Sequence, residues 1–269
     1  TAMITDIFGL IFIILIISTS LFALSYGMLA GTFELFPYEV YNLAKQVIFS
    51  ELERNYPNKD AHIYDTNPLD LIKISNEEQA LEKRDELIKF IWKEGTISKK
   101  TPDKITRNYV DMDYDDISNL KQIDRLVVKM EYGVDSKIYH FIPEKSNNLA
   151  LLYHQGHGGD FFLGKNTIKY FVENGYNVLA FEMPLYGKNN NPIVETDFGK
   201  IRLINHNHLI FLETNNFTSM KFFVEPIAEV LNYLEQKHEF EKFYMVGLSG
   251  GGLIATIYPA LDERISESY

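Results

Sequence analysis

The chain has 269 residues, 46% of them hydrophobic and 14% aromatic, which supplies enough apolar surface for one large core or two small ones and excludes a disordered chain. Lys and Arg total 26 against 37 Asp and Glu, a net charge of -11; such a surface repels phosphate backbones and argues against nucleic acid as a partner. No cysteine is present, which removes disulfides, thiolate metal sites and a cysteine nucleophile while leaving the compartment open.

The first charge-free stretch, Ile7 to Gly31, would reach roughly 37 Å as a helix against about 30 Å of hydrocarbon. It reads as a single-pass N-terminal membrane anchor occupying residues 1–34, with the lipid bilayer as partner through 7–31. A cleaved signal peptide is the rival, but a basic n-region is missing, the apolar run is long and no A-x-A site closes it; a buried core helix is the third reading. Lys45 gives a slim vote for a cytoplasmic C-terminal portion. Thr1 is not a start methionine, so either residues precede it or Met3 is the start.

Residues 35–123 are acidic and mostly helix-like, a helical lead-in. Asn76 can cap EEQALEKRDELIKFIWKEG, whose Leu81, Leu87, Ile88, Ile91 and Trp92 share one broad face and whose Gly95 offers a stop. DMDYDD reads as a solvated acidic loop, since the spaced ligands of an EF-hand are missing.

From residue 124 onward the pattern becomes α/β. RLVVKMEYG and KIYHFIP read as a β-hairpin, NLALLYH as a strand buried on both faces, KNTIKYFVENG as a short helix with an αL stop at Asn174-Gly175, and YNVLAFEMP as another buried strand. A polar connection of about thirty residues precedes a helix with Phe223, Ile227, Val230, Leu231 and Leu234 on one face, then the strand FYMVGL. Such alternation predicts an α/β fold with a mainly parallel sheet, a leading antiparallel hairpin and helices on both faces.

Two motifs carry chemistry. VGLSGGG places Ser249 on a sharp turn between a strand and the helix candidate LIATIYPAL, where flanking glycines let the turn close and the helix N-terminus offers free N–H groups. A serine so placed can attack a carbonyl; the bland alternative is a glycine turn serving packing or anion binding. HQGHGGD, His154 to Asp160, follows the strand NLALLY, and its glycines allow backbone N–H groups to approach an oxyanion. A zinc reading of His154 with His157, or of His206 with His208, lacks a third ligand, and no metal or other cofactor is assigned.

These motifs, in this order, make residues from about 125 to the end resemble the α/β-hydrolase family, particularly its bacterial esterase and acetyl-esterase-like branches. The resemblance implies a serine hydrolase acting on small-molecule carboxylic esters by nucleophilic acyl transfer. It implies Ser249 as nucleophile, with the Gly250 N–H and one from Gly156 or His157 as oxyanion donors. A serine peptidase or thioesterase of the same fold, and a non-catalytic binding or scaffold protein, are the alternatives. In the family the acid and then the histidine follow the nucleophile; here only 20 residues follow Ser249 and none is histidine. Asp262 and Glu263 read as a solvated charge cluster at a helix end, and His206 or His208 as a remote substitute base. ALDERISESY resembles the lead into the next strand. The chain is therefore expected to be the N-terminal part of a longer hydrolase domain, ending after the fifth family strand and lacking its acid and histidine, so that residues 1–269 alone are inactive.

Overall fold

The structure is a computed structural model, and it describes residues 2–33, 67–157, 160–196, 199–237 and 240–269. Two compact units divide between Lys73 and Ile74. In the first, the apolar N-terminal run forms helix α1, Ala2–Phe33, 32 residues long. It contains no proline, and the side chains of residues 12–28 are all exposed. The Thr19 hydroxyl donates to the Leu15 carbonyl (2.8 Å), so this polar group is satisfied within the helix itself. Among the described residues no helix is long and apolar enough to cross a membrane. The anchor expected at 7–31 is therefore not shown. Lys45 and the rest of 34–66 lie outside the described residues. A single turn, α2 (Pro68–Leu71), is capped by Asn67.

In the second unit, α3 (Glu77–Ile91) begins where the Asn76 side chain accepts from the Gln79 N–H (2.9 Å). Its end is pinned by Trp92, fully buried, whose indole N–H donates to Glu225 (3.1 Å). The strands are β1 (Lys104–Thr106), β2 (Leu120–Lys129), β3 (Asp135–Pro143), β4 (Leu149–His154), β5 (Asn177–Phe181), β6 (Ile193–Thr196), β7 (Gly199–Arg202), β8 (Lys242–Gly247) and β9 (Ile265–Ser268). Seven of them make one sheet in the order β1-β2-β3-β5-β4-β8-β9. Pairing is antiparallel from β1 to β5 and parallel from β5 through β4 and β8 to β9. β4 and β5 are buried on both faces, as their continuous apolar runs require.

One face carries α5 (Lys221–Lys237) and α6 (Gly250–Leu261). There Val224, Ile227, Leu231 and Ile254 pack with Leu152, Leu179 and Met245, and Trp92 joins them. The other face carries α4 (Lys165–Glu173), whose Ile168 and Val172 meet Leu151, Tyr153 and Val178 in an aromatic core with Tyr114, Tyr139 and Phe161.

Three sequence expectations need correction. The lead-in 35–123 is not helical to its end: β1 pairs with β2, Lys104 opposite Val127, and Tyr114 of the DMDYDD tract is fully buried in the aromatic core. An isolated aromatic in a charged run gives no periodic signal. Asp262 is not solvated. It is 5% exposed and accepts from the Tyr258 hydroxyl (2.7 Å) and the Arg264 guanidinium (2.6 Å), while Glu263 stays on the surface and pairs with Arg84. The closing ISES segment is itself a strand, β9, so the chain continues past the fifth family strand into the next one.

Candidate active site

β8 ends at Gly247 and α6 begins at Gly250, which leaves two residues to reverse the chain. Ser249 absorbs the reversal at φ 55°, ψ -118°, a conformation L-residues rarely adopt and one held only where the surroundings over-determine it. The surroundings do so through glycine. A Cβ at Gly247 would lie 2.1 Å from the Gly251 carbonyl oxygen, and one at Gly251 would lie 2.0 Å from that of His154. The turn is closed by Leu248 N–H to His154 O (3.0 Å), Gly251 N–H to Leu248 O (2.8 Å) and Gly252 N–H to Ser249 O (2.9 Å). Ser249 is exposed, and the positive end of the α6 dipole stands beside it.

The loop after β4 presses on this turn. His154 pairs with Gly247 in the β4–β8 register, so the loop leaves the sheet alongside the serine. A Cβ at Gly156 would be 2.6 Å from the Leu248 carbonyl oxygen and 2.8 Å from the Ser249 Cβ. A Cβ at Gly250 would be 2.5 Å from His157 Nδ1. Ser249, Gly250, Gly156 and His157 are thus in one place. Gly158 and Gly159 lie outside the described residues.

The histidines separate by role. His154 is 2% exposed, stacks on Phe181 (6.1 Å) and donates from Nδ1 to the Gln155 carbonyl (2.9 Å); burial drives its pKa down to about 4. It is a neutral core group. His208 donates to the Arg202 carbonyl (3.0 Å). His206 Nε2 donates to the Pro184 carbonyl (2.9 Å), and its Nδ1 lies 3.0 Å from His157 Nε2. Burial, opposed by the Pro184 bond, lowers the His206 pKa. Among the described residues no side chain hydrogen-bonds the Ser249 hydroxyl, and no group of three or more His, Cys, Asp or Glu could hold a metal ion.

Sequence reasoning missed Glu182. At the end of β5 it is 3% exposed and accepts from the N–H groups of Phe161 (3.1 Å) and Lys188 (2.5 Å), tying the segment after HQGHGGD to the next loop. Burial pushes its pKa up to about 7. Gly187, at φ 59°, passes so close that a Cβ there would lie 2.5 Å from the carboxyl group. The available signal was a lone acid directly after the apolar run Val178–Phe181, followed within five residues by a glycine.

The sequence profile described as alpha/beta hydrolase fold matches residues 150–267. No curated protein matches the chain. Solved structures similar to it include acetyl xylan esterase 1 from Thermoanaerobacterium, at 16% identity and a TM-score of 0.48, covering 70% of this chain and 55% of that one. An esterase from Pyrococcus furiosus matches at 15% identity and a TM-score of 0.39, covering 61% and 55%. The chain therefore spans about half the length of these structures. With its β2-β3-β5-β4-β8-β9 order, its strained serine turn and this profile match, residues 150–267 show the alpha/beta hydrolase fold.

Proposed function

We propose that the protein is a serine hydrolase acting on small-molecule carboxylic esters by nucleophilic acyl transfer. Ser249 Oγ attacks the ester carbonyl carbon and the alkoxide leaves with a proton. The Gly250 N–H and one from Gly156 or His157 hold the tetrahedral oxyanion. The observation that carries this reading is the Ser249 backbone at φ 55°, ψ -118°, kept by glycines a methyl group would displace. Strain of this kind costs on the order of 1–3 kcal/mol and is retained where it serves a site. A glycine turn required only for packing would not need a serine at its strained position.

No histidine follows Ser249 within residues 1–269, where the order nucleophile, acid, histidine would place the base, so the proposal assigns the nucleophile and the oxyanion donors and leaves the general base and acid unassigned. Peptides and thioesters pass through similar intermediates, and the ester assignment follows the family resemblance. A non-catalytic binding role is the second reading, favoured by the absence, among the described residues, of any side chain hydrogen-bonded to Ser249.

A fluorophosphonate probe applied to the natural protein is expected to label Ser249, mapped by peptide mass spectrometry. Ser249→Ala should abolish labelling and lower ester turnover by roughly 10⁶-fold. Labelling elsewhere, with turnover intact in the variant, would overturn the assignment.

A further inference from the structure

In the described part of the loop after β4, Gly156 has no side chain and His157 carries the one that could fix it, and a glycine backbone is free to adopt many conformations. An oxyanion pocket, by contrast, works because its donors are already aimed before charge develops. Something must hold this loop still, and the His157 ring is the handle it offers.

That ring is held at both ends. On one side its Nδ1 and Cε1 sit 2.5 and 2.6 Å from where a Gly250 Cβ would be, so it rests directly on the backbone of the residue after Ser249. On the other, Nε2 meets His206 Nδ1 at 3.0 Å. The direction of this bond is determined chemically. The Pro184 carbonyl can only accept, so His206 Nε2 carries the proton; a neutral His206 then has a bare Nδ1, and His157 Nε2–H must be the donor. His206 is itself boxed edge-on by Tyr186 (5.0 Å) and by Phe223 of α5 (4.9 Å). The strut therefore runs from the Pro184 carbonyl through two imidazoles to the oxyanion loop.

We propose that His206 is a positioning residue for the oxyanion pocket: fixed by the Pro184 carbonyl, it locks the tautomer and ring plane of His157 and thereby aims the backbone N–H groups of that loop at the Ser249 turn. The proposal rests on Ser249 as nucleophile and says nothing of the base. It makes the connection between β5 and α5, whose Met183 also rests against Gly250, a determinant of Ser249 reactivity.

Two variants and two readouts test it. His206→Phe keeps the aromatic box but removes the acceptor, and His206→Asn returns an acceptor oxygen near the place of Nδ1. Ring-nitrogen NMR of the ¹⁵N-histidine-labelled chain should show His157 fixed as the Nε2–H tautomer in the parent, averaging between tautomers in His206→Phe and fixed again in His206→Asn. Fluorophosphonate labelling of Ser249 in the natural protein should slow about tenfold in His206→Phe, through the limiting rate and not the half-saturating probe concentration, and recover in His206→Asn. An unchanged His157 tautomer in His206→Phe, or an unchanged limiting rate, would overturn the strut. If Ser249 labels in no protein, parent included, the nucleophile assignment fails, and the NMR result still decides whether His206 locks His157.

Discussion

Gly251 shows how one residue couples the two halves of the site. Its missing Cβ leaves room for the His154 carbonyl, which would otherwise stand 2.0 Å away, and that carbonyl accepts the Leu248 N–H that closes the serine turn. Glu182 does comparable work with a charge. Its folded pKa of about 7 lies above the ordinary 4.5 because burial outweighs the two N–H bonds that favour the anion. As pH rises from about 4.5 to 7 the unfolded chain gives up this proton first, so the folded state loses relative stability across that window and levels off above it. The loss amounts to about 3 kcal/mol at most. Glu229, 1% exposed and also raised to about 7 by burial, adds to the same slope. Urea unfolding followed from pH 5 to 8 should therefore show stability falling with pH. Glu182→Gln, which resembles the protonated acid, should match the parent at pH 5 and fall less by pH 8. Equal slopes in the two proteins would show that Glu182 ionises normally.

At the scale of elements, what was legible followed from continuous apolar runs and from glycine. β4, β5 and β8 announced themselves by short continuous apolar runs, which in β4 and β5 are buried on both faces, and the serine turn by its need for glycine at fixed offsets. β1, β6 and β7 did not, being three or four residues long with mixed exposure. The β6–β7 hairpin lies in the connection expected to be a polar loop, which instead has its own small core of Val194, Leu203, Leu209 and Leu212. Glu182 and His206 were hidden for a related reason: each acts through a partner distant in sequence, which spacing does not reveal. Helix α1 raises the converse question of what its apolar surface meets. Its described side chains, Phe12 and Ile13 through Phe22 and Met28, face outward, and its Thr19 hydroxyl is satisfied within the helix, as a hydrocarbon environment demands. No described helix is long and apolar enough to cross a membrane, and carbonate washing of the protein with and without residues 1–33 tests the anchor expected at 7–31: retention in the pellet that the deletion abolishes would support it, and release of the undeleted chain would refute it.

For the molecule as a whole, the proposed chemistry divides into a binding half and a proton-transfer half. The sheet from β2 to β9 is covered on one face by α5 and α6 and on the other by α4, and the serine turn and its facing loop rest on β4 and β8, at its centre. The binding half of the proposed chemistry therefore rests on a packed scaffold. The proton-transfer half does not: a serine hydroxyl is a weak nucleophile at neutral pH without an oriented imidazole, and among the described residues none is bonded to it. An oxyanion pocket alone leaves roughly 10³-fold acceleration over water, too slow to register as turnover. Residues 35–269, once shown by circular dichroism to be folded, should accordingly release nitrophenol from short acyl esters at no more than this residual rate. A rate above about 1 s⁻¹ that disappears in Ser249→Ala would mean that an imidazole already present takes the proton. The geometry then names His157 before His206 or His208, because its Nδ1 lies against Gly250, whereas the Nε2 of His206 is given to Pro184 and the Nδ1 of His208 to Arg202.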